Sequence, residues 1–278
     1  MLYLCATPIG NLADVTQRVL DVLRSVDLIA AEDTRHTRKL LAHYQIHKPL
    51  VSYHEHNEHS QAEELLRQVS AGAQVAVVSD AGMPGISDPG VVLVQKAVEQ
   101  GLPFTVLPGP SAVLTALVLS GLDTDQFAFL GFPPRNSSKR RQWLETFRSL
   151  PLTLVFYEAP HRLQGCLKDL LESLGDRQIA VARELTKQFE EVRRGSLSEM
   201  VRFYAEHEPR GEFVLVVAGC SDEEGEGAEP DWEAALAAVD RLLAQGEETS
   251  AAIRQVALNQ RISRRELYNL FHERQRRN

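Results

Sequence analysis

Residues 74–100 read QVAVVSDAGMPGISDPGVVLVQKAVEQ. An apolar β-type run, Gln74 to Ser79, ends in a stretch dense in Gly, Pro and Asp. A helical pattern then resumes from Val91 to Gln100. Strand, elaborate turn and helix in that order are the repeating unit of an α/β protein. A turn built as Ser79-Asp80-Ala81-Gly82-Met83-Pro84-Gly85-Ile86-Ser87-Asp88-Pro89-Gly90 holds many main-chain N–H and C=O groups in a fixed shape. That suits it to gripping a polar small molecule rather than simply reversing the chain.

Working outward, the same alternation covers most of the 278 residues. Leu2–Ala6, Leu28–Ala31 and Phe104–Leu107 read as buried strands, with helices at Val15–Arg24 and Val91–Gln100. A second series has strands near Phe127–Leu130, Leu152–Tyr157, Ile179–Ala182 and Phe213–Ala218. Its helices lie near Lys139–Arg148, Leu163–Leu174 and Leu197–Ala205. The alternation favours mainly parallel sheets, with an antiparallel edge left open in the second unit. Two other strand ends repeat the ligand-loop pattern: Thr7-Pro8-Ile9-Gly10-Asn11-Leu12 and Leu107-Pro108-Gly109-Pro110-Ser111-Ala112, where Ser111 can cap a helix. Neither is a dinucleotide fingerprint or a P-loop.

Composition narrows the class. With 44% apolar and 24% charged residues the chain is globular, and no apolar run approaches a membrane span. The start, Met1 to Pro8, has no basic head, so a cytoplasmic protein is expected. Cys5, Cys166 and Cys220 lack metal or disulfide spacing and read as core thiols. The net charge of −8 hides local contrast. Residues 221–233 hold seven acids and no base, whereas 261–278 hold six arginines against two glutamates. The first of these stretches, 221–231, reads as a linker. Beyond it, three helices are expected, with a turn at Asn259-Gln260-Arg261-Ile262 and a Ser263–Glu266 capping box, which resembles a helix-turn-helix. The alternative is a helical appendage that only packs on a neighbour.

Four basic residues, Arg135, Lys139, Arg140 and Arg141, sit at the front of a helix whose Trp143, Leu144 and Phe147 point inward. Like charges there oppose the helix dipole unless an anion lies nearby, which favours a phosphate contact. His54, Glu55, His56, Glu58 and His59 tempt a metal assignment, but nothing nearby completes a ligand set. They read as a polar loop capping the next helix through Asn57, and no metal is expected.

The strings TPIGNLAD (7–14), AEDTRHT (31–37), HEHNE (54–58), SDAGMPGISDPG (79–90), LPGPSA (107–112), GFPPR (131–135), YEAPHR (157–162) and RELTK (183–187) together resemble the tetrapyrrole (corrin/porphyrin) methylase family, in its ribosomal RNA branch. The chain departs from the small-molecule members at Thr7–Gly10 and Ser79–Gly82, and Ala159 stands where that branch would carry a serine. The resemblance implies an α/β protein of two successive α/β/α domains with a cleft between them, the class III methyltransferase type. The helix-turn-helix-like C-terminal domain, read from the residues above, stands beside these. Expected boundaries are 1–115, 116–220, an acidic linker 221–231, and 232–278. The resemblance further implies S-adenosylmethionine as cofactor, a homodimer, and methylation of a cytidine ribose 2′-oxygen in the decoding region of 16S ribosomal RNA.

By the same resemblance the donor should touch Pro8, Asp80, Ala81, Gly82, Pro84, Ile86, Ser111, Ala112, Tyr157 and Ala182. Candidates for proton handling are Glu32 and Asp33, His36, and Glu184 with Lys187. The lysine would act either neutral as a base or charged as a stabiliser of an emerging alkoxide. Glu184 and Lys187 would share a face if helical, and a plain salt bridge is the competing reading. Arg35 and Arg38 would grip phosphate, and Arg264 and Arg265 would extend the basic footprint. Two other readings stand beside this one: a tetrapyrrole-type small-molecule methyltransferase, and a non-enzymatic nucleic-acid-binding factor.

Overall fold

The computed structural model describes residues 1–220, 232–244, 247–260, 262 and 264–277. The acidic stretch 221–231 and Ser263 lie outside the described residues. Two units result: Met1–Arg148 with Leu152–Ala218, and Ser149–Pro151 with Gly219–Asn278.

In the first unit, the opening half contains β1 (Leu2–Cys5), α1 (Gln17–Ser25), β2 (Leu28–Ala31), α2 (Thr34–His43), β3 (Leu50–Ser52), α3 (Glu58–Ser70), β4 (Val75–Val78), α4 (Val91–Glu99) and β5 (Phe104–Leu107). Its sheet has the order β3-β2-β4-β1-β5, parallel throughout. Leu2, Leu4, Val75 and Val77 pack under α3 and α4, while Cys5, Ala76 and Val78 pack under α1 and α2. Both faces are covered, which is why these strands read as unbroken apolar runs.

The second half contains α5 (Ala112–Ser120), β6 (Phe127–Phe129), α6 (Ser137–Glu145), β7 (Thr153–Glu158), α7 (Pro160–Leu174), β8 (Gln178–Arg183), β9 (Glu191–Ser196), α8 (Leu197–Glu206) and β10 (Phe213–Val217). Here the expectation of mainly parallel strands is corrected. The order is β6-β7-β10-β8-β9, and only β6–β7 is parallel. The last strand, β10, inserts antiparallel between β7 and β8, and β9 folds straight back on β8. Strand–helix alternation alone does not report such an insertion. One face of this sheet carries α6, α7 and α8, and the other carries α5 through Val113, Ala116 and Leu117.

The other unit holds α9 (Trp232–Ala244), α10 (Thr249–Gln260) and α11 (Arg264–Arg277) around Ala235, Val239, Ile253, Val256, Leu267 and Phe271. Helix α10 runs through Asn259 and Gln260, so the turn expected at 259–262 starts later than its polar residues suggested. Among the described residues no helix is long and apolar enough to cross a membrane.

Candidate active site

Because β4, β1 and β5 are adjacent and parallel, the turns that leave their carboxyl ends meet at one edge of the sheet. The first two are bonded to each other. Thr7 N–H donates to Gly82 O at 2.8 Å, Gly82 N–H returns to Thr7 O at 3.0 Å, and Thr7 Oγ1 donates to Ser79 O at 3.1 Å. Ser111 accepts from Leu114 N–H and caps α5 as expected.

A loop from the second half closes on the first turn. Gly10 lies so near residues 185–187 that a Cβ would stand 2.5 Å from Lys187 Cγ and 2.8 Å from Leu185 O. Asn11 N–H donates to Thr186 Oγ1 at 3.0 Å. This loop is not helical: Glu184 and Thr186 have φ of 50° and 63°, values that cost side-chain-bearing residues energy and persist where surroundings enforce them. The Glu184–Lys187 salt bridge forms even so. Lys187 Nζ donates to Glu184 Oε1 and to Glu212 Oε2, each at 2.9 Å. Burial works against charge on Lys187, but the two carboxylates outweigh it and hold its pKa above the ordinary value. For Glu184 burial likewise opposes ionisation, and the Lys187 ammonium with the Glu212 amide keeps its pKa low. The neutral-lysine reading is thereby corrected: Lys187 is a held cation.

Two cavities share this edge. The first, about 550 Å³, is lined by Ala81, Gly82, Ile86, Ser111, Ala112 and Tyr157, all expected donor contacts, and by Met83, Asp88, Phe129 and Phe132. The second, about 510 Å³, is lined by Pro8, Asp80, His36, Lys39 and Lys187; Ile9, Ala81 and Glu212 border both. Pro84 and Ala182 are buried and line neither: Ala182 packs in the core between β8 and α5. The residues that motif reading missed, Asp88, Phe132 and Glu212, differ in their signal. Asp88 and Phe132 lay inside quoted strings, whereas Glu212 belongs to no motif. The first cavity has the size of a small-molecule site. Its aromatic and aliphatic walls, main-chain groups at 81–83 and an uncompensated acid fit a nucleoside that carries a positive charge.

Other expected roles change. Asp33 caps α2, accepting from Arg35 N–H at 2.8 Å and from the Arg35 guanidinium at 2.7 Å. Those bonds hold its carboxyl well below its usual range, and it lines neither cavity, so it is a cap rather than a proton acceptor. Asn57 does not cap α3 with its side chain; its Oδ1 accepts from His54 N–H and its Nδ2 donates to Ser52 O.

Arg140 is corrected most fully. It is 5% exposed, and its Nε donates to Asp169 Oδ2 at 2.7 Å, so it is unavailable to RNA. The anion that the helix dipole called for is Asp169, which also accepts from Ser137 Oγ at 2.9 Å. Arg141 is half-buried and pairs with Glu172 at 2.9 Å. Arg35, Arg38, Arg135 and Lys139 are exposed. Arg264 and Arg265 open α11, and their side chains lie outside the described residues.

Comparison with known proteins agrees with this architecture. Residues 1–201 match the sequence model of the Tetrapyrrole (Corrin/Porphyrin) Methylases, and the chain belongs to that family. It is 47% identical to the ribosomal RNA small subunit methyltransferase I of Halalkalibacterium halodurans over 98% of this chain and 94% of that one. To the protein of the same name from Bacillus subtilis it is 45% identical, covering 99% and 95%. Among solved structures, a diphthine synthase superposes with a TM-score of 0.62 at 14% identity, over 78% of this chain and 89% of that one. A uroporphyrin-III-C-methyltransferase from Thermus thermophilus gives 0.56 at 24%, over 78% and 93%. These two show the class III methylase fold. The chain is a methyltransferase, and the family's methyl donor is S-adenosylmethionine.

Proposed function

We propose that the chain methylates the ribose 2′-oxygen of a cytidine in the decoding region of 16S ribosomal RNA, acting in the cytoplasm on the small ribosomal subunit as a homodimer. The observation that carries this reading is the pair of adjoining cavities, with a held ammonium, Lys187, on the wall of the second. The names of the relatives supply the RNA.

When bound, S-adenosylmethionine supplies an electrophilic methyl group on a sulfonium. The residues of the chain do the rest. Main-chain groups at Ala81, Gly82 and Ser111, with Ile86, Ala112 and Tyr157, hold the donor in the first cavity. Pro8, Ile9 and Gly10 form the floor across which the acceptor ribose approaches. With an already activated donor, most of the rate must come from holding oxygen, carbon and sulfur in line. Lys187, kept charged by Glu184 and Glu212, would stabilise the negative charge that develops on the ribose oxygen as it takes the methyl carbon from sulfur and its proton passes to solvent water. Exposed Arg35, Arg38, Arg135 and Lys139, with Arg264 and Arg265, would grip the phosphates that frame the target. A porphyrin-like acceptor would not need such a spread of cations.

The homodimer draws support from α5. This helix is largely apolar, and with one stripe packed on the second sheet it still leaves Val118 73% exposed, while Leu114 one turn before it lines the first cavity.

The test is tritiated methyl transfer to small subunits from cells lacking this modification, followed by nuclease mapping. Label on a single cytidine that resists 2′-hydroxyl-dependent cleavage is expected. Label on a base, or tight donor binding with no transfer to RNA, overturns the reading.

A further inference from the structure

Three acids line the first cavity: Asp88, Glu158 and Glu212. Two of them have partners. Glu158 Oε1 faces Arg162 Nε at 3.1 Å and accepts the Ala159 N–H at 2.8 Å. Glu212 is paired with Lys187. Asp88 forms no ion pair among the described residues. The groups that face it are further acids, Glu32 from the turn after β2 and Asp80 from the turn after β4, with the Ser79 hydroxyl; Tyr157 approaches from β7, where Glu158 lines the same cavity. Burial first, and then Glu32 and Asp80, push its carboxyl up to about 7. Tyr157 is pushed to about 12 by burial and by Asp88, so it stays neutral.

The rest of the wall nearby is apolar and aromatic. Tyr157 meets Phe129 and Phe132 with ring centroids 4.9 and 5.4 Å apart. A carboxylate without its own cation, beside aromatic faces, is complementary to a diffuse, weakly hydrated positive charge.

Resting on the reading of this cavity as the donor site, we propose that Asp88 pairs with the sulfonium charge and so discriminates the donor from its neutral thioether product. Methyl transfer removes the positive charge from sulfur. Asp88 is then left uncompensated again, which favours release of the product and its replacement by fresh donor. The amino and carboxylate groups of the methionine end are common to both molecules and contribute nothing to this difference.

Calorimetry on the full chain with S-adenosylmethionine and S-adenosylhomocysteine tests it. Asp88→Asn should weaken the donor about tenfold and the product less than about twofold, with an unchanged melting temperature, and Asp88→Glu should recover part of the loss. A second readout is proton release. At pH 7 the empty site holds Asp88 partly protonated, and a paired sulfonium drives that proton off. Donor binding in buffers of different ionisation enthalpy should therefore release a fraction of a proton, and donor affinity should rise from about pH 6 to about pH 8. Product binding and Asp88→Asn should show neither effect. Equal weakening of donor and product would place Asp88 at the shared methionine end and overturn the proposal, as would no change in either. If the wild-type chain binds neither probe, the donor reading of the cavity fails first.

Discussion

At the residue scale, charge in the sequence has two fates that composition does not separate. Arg135, Lys139, Arg140 and Arg141 look alike in a row, yet Arg140 alone is buried, against an aspartate 29 positions away. The dipole argument correctly demanded an anion at the start of α6; only the fold shows that α7 supplies it. Removing one partner of a buried pair leaves the other charge unsatisfied. Arg140→Met should therefore cost about 3–5 kcal/mol of stability, read by chemical denaturation, and the double change with Asp169→Leu should recover most of it. Arg135→Ala and Lys139→Ala should do the reverse. They leave stability alone and lower the salt dependence of RNA binding by about one unit per lost phosphate contact. Gly10 is the other residue whose role depends on a segment distant in sequence. Gly10→Ala forces its Cβ into Lys187 Cγ and Leu185 O, so the 184–187 loop must shift. The expected result is a kcat lower by about tenfold or more with donor affinity nearly unchanged. Parallel losses in both would argue that the loop serves the donor.

At the element scale, the strands legible in the sequence were compact apolar runs: β2 and β4 are buried along their whole length, whereas β5 is a half-exposed edge strand marked by its apolar run between Pro103 and Pro108. β2 and β5 fall at their expected bounds, and β1 and β4 differ only at their ends. What escaped was set by position in the sheet. β9 reads Glu191-Val192-Arg193-Arg194-Gly195-Ser196 and is an edge strand, where charge is tolerated and period-2 patterning fades. β3 and β6 are both three-residue edges, but Phe127-Ala128-Phe129 runs on into Leu130 as an apolar stretch, whereas Ser52 interrupts Leu50-Val51. Helix α5 was legible as apolar, but not which of its faces the second sheet would take. Its remaining face carries a prediction. Val118→Glu places a charge at the centre of the uncovered stripe and should convert a sedimenting dimer to monomer, a loss of about 2 kcal/mol or more. Because Val118 is 73% exposed in the single chain, the melting temperature of the monomer itself should hold. A wild-type chain that sediments as one copy at micromolar concentration would remove the dimer from the proposed function.

At the scale of the whole molecule, the meeting of the three candidate ligand loops was legible because parallel topology turns sequence order into spatial adjacency: β4, β1 and β5 deliver 79–90, 7–12 and 108–111 to one end of the sheet. The second partner of Lys187 was not legible, since Glu212 precedes β10 and is brought to the site by an antiparallel insertion that no motif marks. The three C-terminal helices pack apolar residues, Ala235 to Phe271, on one another in a cluster of their own. A unit with its own core should be separable without dismantling the other. A chain ending at Cys220 is thus expected to fold, to keep both cavities and to bind S-adenosylmethionine as the full chain does. It loses the local excess of arginine over glutamate in 261–278, six against two, and with it part of the phosphate grip. Binding to 16S ribosomal RNA, followed against salt concentration, should weaken and show a shallower slope. Undiminished RNA affinity in the shortened chain would assign these helices to packing alone and leave recognition to the exposed cations around α2 and the start of α6.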